Sequence, residues 1–129
     1  LGKGEVLPMH ATASGIAYLA FAPLGALPEP KQQLRSYTSK TITDTNKLRT
    51  KINAARREGW ATSADGYEEG VFGLAAPVIG ADGYSLGAVA IAAPSSRVNA
   101  RIEQQFRTLI VAAGKQISRA LGGSSEVAA

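Results

Sequence analysis

Apolar residues recur at helical spacing in three stretches of this chain and gather into short unbroken runs in its middle. Ile16, Leu19 and Ala20 share one face of a helix that Thr12 can cap and that Pro23 and Gly25 end. Within Leu27–Tyr37, two prolines precede Lys-Gln-Gln-Leu-Arg-Ser-Tyr, which predicts a short second helix, and Thr38–Thr43 reads as a polar connection. From about Asp44 a third helix carries Leu48, Ile52 and Ala55 as its apolar stripe, with Thr43 or Thr45 as its cap. Gly59 stands where a left-handed residue closes such a helix. The basic second half of this helix suits its negative end, so those charges need no nucleic-acid partner.

Glu5–Leu7 reads as the end of a strand stopped by Pro8, and Trp60–Ala64 as a short strand. Asp65–Gly70 is polar and glycine-flanked, hence a loop. Val71–Ile79 and Tyr84–Ala93, joined by Gly80-Ala81-Asp82-Gly83, predict a β-hairpin closed by Pro94. Their apolar residues do not alternate cleanly, which predicts strands covered on both faces. Val98, Ile102, Phe106, Leu109, Ile110, Ala113, Ile117 and Leu121 then mark a long amphipathic helix. Gly122-Gly123 stops it, leaving Ser124–Ala129 as a frayed tail. The order of elements predicts an α+β domain. The last helix has one wide stripe, able to pack on its own sheet or dock a twin.

Composition narrows the picture. At 129 residues one domain is expected. With no cysteine, disulfide scaffolds and Cys-based zinc sites are excluded. The chain has 23 alanines and only eight aromatic residues, so its core must be built from small and aliphatic side chains on closely approaching elements. A net charge of +4, spread among acids, reads as a mixed solvated surface rather than a nucleic-acid footprint. No apolar run reaches the ~20 residues of a membrane span and the first residues lack signal-peptide order, so a soluble cytoplasmic protein without membrane association is expected.

Reactive groups are scarce. The one imidazole, His10, would have to pair with Ser14 to make a nucleophile, yet no elbow motif surrounds Ser14 and no acid is placed to orient the ring. A single histidine and no spaced set of carboxylates predict no metal site and no cofactor. Glu68-Glu69 reads as solvated, and Gly80–Gly83 lacks the lysine and following helix of a phosphate loop. The first helix turn is different: Ala13, Ser14, Gly15 and Ala17 are all small. Either helix and sheet pack tightly there, or a ligand approaches free backbone N–H groups where the helix dipole favours an anion.

The order of motifs carries a resemblance. Leu7-Pro8-Met9-His10-Ala11 with Ser14-Gly15-x-Ala17, the pair Gly59-Trp60, Gly70, Ala75-Ala76-Pro77-Val78, and Pro94 with Ser96-Arg97 follow one another with matching gaps. From about Leu7 to Gly123 the chain resembles the effector-binding domain of the IclR family of bacterial transcriptional regulators. The resemblance implies a GAF-like or PAS-like antiparallel sheet flanked by helices, with the long helix last. It implies a metabolite sensor and not an enzyme, acting as a dimer or tetramer and paired with a winged helix-turn-helix that binds operator DNA. Residues 1–123 would be the sensor domain and 124–129 a disordered tail. The winged helix and the helix and strands that usually open the sensor are expected to be missing from this chain, leaving the sheet short of strands and the pocket short of wall.

Carried over by position, the resemblance places effector contacts at Leu7, Ala13, Ser14, Ser63, Val71, Gly73, Ala90 and Ala92. Members sensing small polar acids carry acidic, thiol or hydroxyl groups at several of these sites. Gly73, Ala90 and Ala92 offer no hydrogen bond and open volume, which predicts an aromatic or longer-chain carboxylic acid rather than glyoxylate or pyruvate. Gly66 and Gly80 also depart from the family pattern, which usually has an acid near the first and Asp or Asn near the second. An effector preferring one dimer arrangement by ~1–3 kcal/mol would change operator affinity roughly 5–150-fold. Two rivals stand beside the sensor: a small enzyme using Ser14 and His10, and a ligand-free dimerisation domain of the repressor or activator.

Overall fold

A computed structural model describes residues 8–122, so the expected strand end at Glu5–Leu7, the pocket position Leu7 and the tail from Gly123 lie outside the described residues. Helix α1 spans Ala13–Ala20, α2 Thr45–Glu58 and α3 Ala100–Ala120; strands β1 (Ala61–Ala64), β2 (Val71–Ile79) and β3 (Ser85–Pro94) form one antiparallel sheet in that order. The domain is α+β with the long helix last. Helices α1 and α2 cover one face of the sheet and α3 the other.

Thr12 caps α1 as expected, its Oγ1 accepting from Gly15 N at 3.1 Å. Tight packing explains Gly15: a Cβ there would overlap the backbone of Met9. Helix α2 is capped instead by Asp44, whose Oδ1 accepts from Asn46 N at 2.8 Å. Thr45 is buried one residue further on, and its hydroxyl is taken by Lys31 N at 3.2 Å. Gly59 closes α2 in the left-handed region, with φ 86°. Arg56 reaches across from α2, its Nε donating to the Ala20 carbonyl at the end of α1 (2.6 Å).

The short helix expected after the prolines is absent. A helix there would have had only Leu34 to bury, too little to form a packed face. Gln32 N instead closes a turn onto Glu29 O, Lys31 adopts φ 64°, and the amides of Tyr37 and Thr38 bond the Thr41 hydroxyl.

Strand β2 is central and covered on both faces. Its residues 72, 74 and 76 face α3, whereas Ala75 and Ile79 join the core with α1 and α2. Coverage of both faces does not extend to β3, an edge strand on which Leu86, Ala90 and Ala92 are exposed. The hairpin turns at Gly83 (φ 84°), with Gly80 N bonded to Tyr84 O.

Helix α3 departs from its expected stripe. Its buried residues are Ile110, Gly114 and Ser118, while Leu109 and Leu121 are 65 % and 58 % exposed and Ile117 is 40 % exposed. Close approach decides this. A Cβ on Gly114 would sit 3.0 Å from the Pro77 carbonyl, so this part of the helix meets β2 through small residues. Leu109, Ile117 and Leu121 are left to the flank, while Ile110 and Phe106 pack with Phe72, Leu74 and Ala76. Ser118 Oγ donates to Gly114 O (2.7 Å) and accepts from Ile79 N (2.9 Å), completing the strand's hydrogen bonding inside the core. Ser118→Ala leaves that buried N–H without a partner and is expected to cost about 1–3 kcal/mol, measured by urea unfolding.

Candidate functional site

The strand register lines up small side chains. Ser63 pairs with Gly73 and Gly73 with Ala92, while Ala75 pairs with Ala90, so these residues share the face of the sheet turned to α1. Where that face is small and α1 begins, a cavity of about 360 Å³ opens. Ala13 and Ser14 from α1, Ser63 from β1, Val71 and Gly73 from β2, and Ala90 and Ala92 from β3 all line it. Of the positions carried over from the resemblance, only Leu7 is not among them, because it lies outside the described residues.

The N–H groups of Ala13 and Ser14 fall in the first turn of α1, where the helix offers no carbonyl four residues back. Thr12 serves the third amide of that turn, Gly15, and leaves these two directed out of the helix start. Ser63 donates its hydroxyl proton to Ala11 O (3.1 Å), which fixes β1 against the segment entering α1. A Cβ on Gly73 would meet Ala13 Cβ at 3.5 Å, an ordinary contact, so the glycine there leaves space rather than relieving a clash.

Sequence reasoning missed the lip. Gly66, Tyr67 and Glu68, from the loop between β1 and β2, also line the cavity, as do Ala11, Thr12 and Ile91. The loop reads as a solvated turn, but its ends are fastened. Asp65 adopts φ 61°, and its Oδ1 accepts from Gly70 N at 2.6 Å and from Ser95 Oγ at 3.3 Å. Lys40 Nζ lies 3.5 Å from Oδ2. The Gly70 amide foremost, with Lys40 and Ser95, holds the Asp65 carboxyl below its ordinary range. Thr38 and Thr41 donate to the carbonyls of Asp65 (2.5 Å) and Gly66 (2.6 Å). Gly66 has a packing reason: a Cβ there would crowd Ser63 Oγ and the Ala11 carbonyl. The signal was the glycine itself, next to an acid and between two strands.

His10 does not line the cavity. Its Nε2 bonds the Arg35 carbonyl at 2.8 Å, and since a carbonyl only accepts, that nitrogen carries the proton and is not a base toward Ser14. Among the described residues, Glu68 is the one charged member of the lining. Among the described residues no group of three or more His, Cys, Asp or Glu is placed to hold a metal ion, and no helix is long and apolar enough to cross a membrane. The arrangement offers hydrogen-bond donors at one helix start beside a wall of small apolar side chains.

Comparison with known proteins gives a family. The family model described as the bacterial transcriptional regulator IclR C-terminal domain matches residues 2–119. The HTH-type transcriptional regulator XynR of Escherichia coli K12 is 34 % identical over 122 residues, covering 92 % of this chain and 48 % of its own length. A solved structure from Silicibacter sp. TM1040, assigned to the IclR transcriptional regulators, superposes with TM-score 0.89 at 35 % identity, covering 96 % of this chain and 49 % of that one. The inducer-binding domain of the transcription factor PobR from Acinetobacter, a double mutant in complex with 3-hydroxybenzoic acid, gives TM-score 0.78 at 27 % identity, covering 89 % of this chain and 67 % of that one. The chain spans about half the length of the curated relatives it matches.

Proposed function

Since this chain belongs to the IclR family of bacterial transcriptional regulators, matching their C-terminal domain, we propose that its cavity binds an aromatic or longer-chain carboxylic acid as effector. The observation that carries the reading is the meeting of the Ala13 and Ser14 amides with Gly73, Ala90 and Ala92 around one cavity. Backbone N–H groups at a helix start hold an anion without help from a cationic side chain. A cavity of about 150 Å³ accepts benzene, so about 360 Å³ has room for a ring with substituents. The ligand of the PobR domain, an aromatic acid, agrees in kind.

The effector acts by preferring one arrangement of a dimer or tetramer, and so changes operator affinity. Operator binding itself is assigned to a winged helix-turn-helix of the same protein. Relatives named as transcriptional regulators support this division, and the mixed surface charge of the chain does not call for DNA contacts of its own.

Thermal unfolding in the presence of 3-hydroxybenzoate, cinnamate, pyruvate and glyoxylate tests the reading. An aromatic acid at ~100 times its dissociation constant should add about 2.7 kcal/mol of stability, with pyruvate and glyoxylate far behind. Stabilisation by the two small acids alone would reverse the size argument. No response to any acid would point to the ligand-free dimerisation domain.

A further inference from the structure

Resting on the acid-binding reading of this cavity, we infer that Glu68 selects monocarboxylic over dicarboxylic effectors. A cavity of about 360 Å³ is about 9 Å across if rounded, close to the ~8 Å Debye length at physiological salt. Any carboxylate inside therefore feels Glu68, the one charged residue of the lining among the described residues. A first carboxylate meets the amides at the start of α1, which offset the repulsion. Along the wall of Gly73, Ala90 and Ala92 a second carboxylate meets no side-chain donor, and the hydroxyl proton of neighbouring Ser63 is already given to Ala11 O.

Glu68 also has a defined place. Its own carbonyl accepts from Val71 N (3.3 Å), two residues before it Gly66 O is held by Thr41, and two residues after it Gly70 N is held by Asp65. The loop backbone that carries Glu68 beside the cavity is thus tied down. Because Glu68 is exposed, solvent screens its field, and the selectivity it confers is modest and salt-dependent.

Isophthalate and its monoamide, 3-carbamoylbenzoate, have nearly the same size and differ in the second charge. Calorimetric titration should show the monoamide binding roughly three- to tenfold more tightly than the diacid, with the ratio shrinking as salt is raised. In Glu68→Gln the ratio should fall to within about twofold, and in Glu68→Lys it should invert. Both variants alter an exposed side chain, so unfolding midpoints should match the parent protein. An unchanged ratio in Glu68→Gln, or a diacid bound as tightly as the monoamide by the parent protein, overturns the inference. If neither probe nor 3-hydroxybenzoate binds the parent protein, the acid-binding reading itself fails and takes this inference with it.

Discussion

Alanine at position 15 is expected to destabilise the domain by about 1–3 kcal/mol, although helix propensity alone favours it over glycine by about 1 kcal/mol. Gly15 lies inside α1, where an added methyl would ordinarily reduce the entropy lost on folding. Here the methyl would overlap Met9 backbone atoms, which cannot rotate away as a side-chain tip can. Relief requires moving the segment that leads through Ala11 and Thr12, and both residues line the cavity. Gly15→Ala should therefore lose affinity for an aromatic acid together with stability. Urea unfolding checks the first part and ligand titration the second. A variant more stable than the parent protein would show that Met9 yields easily.

Aspartate at position 92, or at position 90, is expected to weaken binding of an aromatic acid by at least tenfold while leaving the fold intact. Ala90 and Ala92 are exposed on the open side of the cavity, so a carboxylate there stays hydrated in the unliganded protein. Stability should change by no more than about 0.5 kcal/mol. Once an effector sits in the cavity, two like charges about 5 Å apart at an effective dielectric near 20–40 repel by roughly 2–3 kcal/mol. Asparagine at the same positions adds similar bulk without charge, and it should retain most of the affinity. Equal losses for aspartate and asparagine would mean that volume, not charge, governs these sites.

The elements with strong periodicity were legible. Helix α1, with Thr12 before it, and strand β2 stand where the pattern puts them, and β3 begins one residue later than its apolar run suggests. Helix α3 was legible as a helix but not in its packing. Periodicity scores Gly114 and Ser118 as gaps in an apolar stripe, yet these residues let the helix approach Pro77 and bond Ile79 N. The segment after the prolines misled because its helix-forming residues had no face to bury, and side chains of Thr41 and Thr45 satisfied its amides. Asp44 lost attention as a cap beside two threonines, one of which is buried for another purpose.

The site was legible differently. Composition gave only the small residues at the start of α1, with packing and ligand binding both open. Gly15 answers to packing, while Ala13 and Ser14 line the cavity, so one turn serves both the packed contact and the cavity wall. That Gly73, Ala90 and Ala92 face this turn came from resemblance, because a strand pattern cannot say which helix covers a face. Tyr67 and Glu68 stayed hidden, since a polar loop looks solvated until its neighbours Asp65, Thr38 and Thr41 show that it is tied down.

Amide chemical shifts of the nitrogen-15 labelled protein, titrated with 3-hydroxybenzoate, probe most directly whether bare helix-start amides receive the acid. The account predicts saturable downfield movement of the Ala13 and Ser14 N–H signals, larger than that of any amide in α2, with Gly73 also perturbed. Saturable shifts confined to other parts of the domain, with Ala13 and Ser14 unmoved, would contradict it.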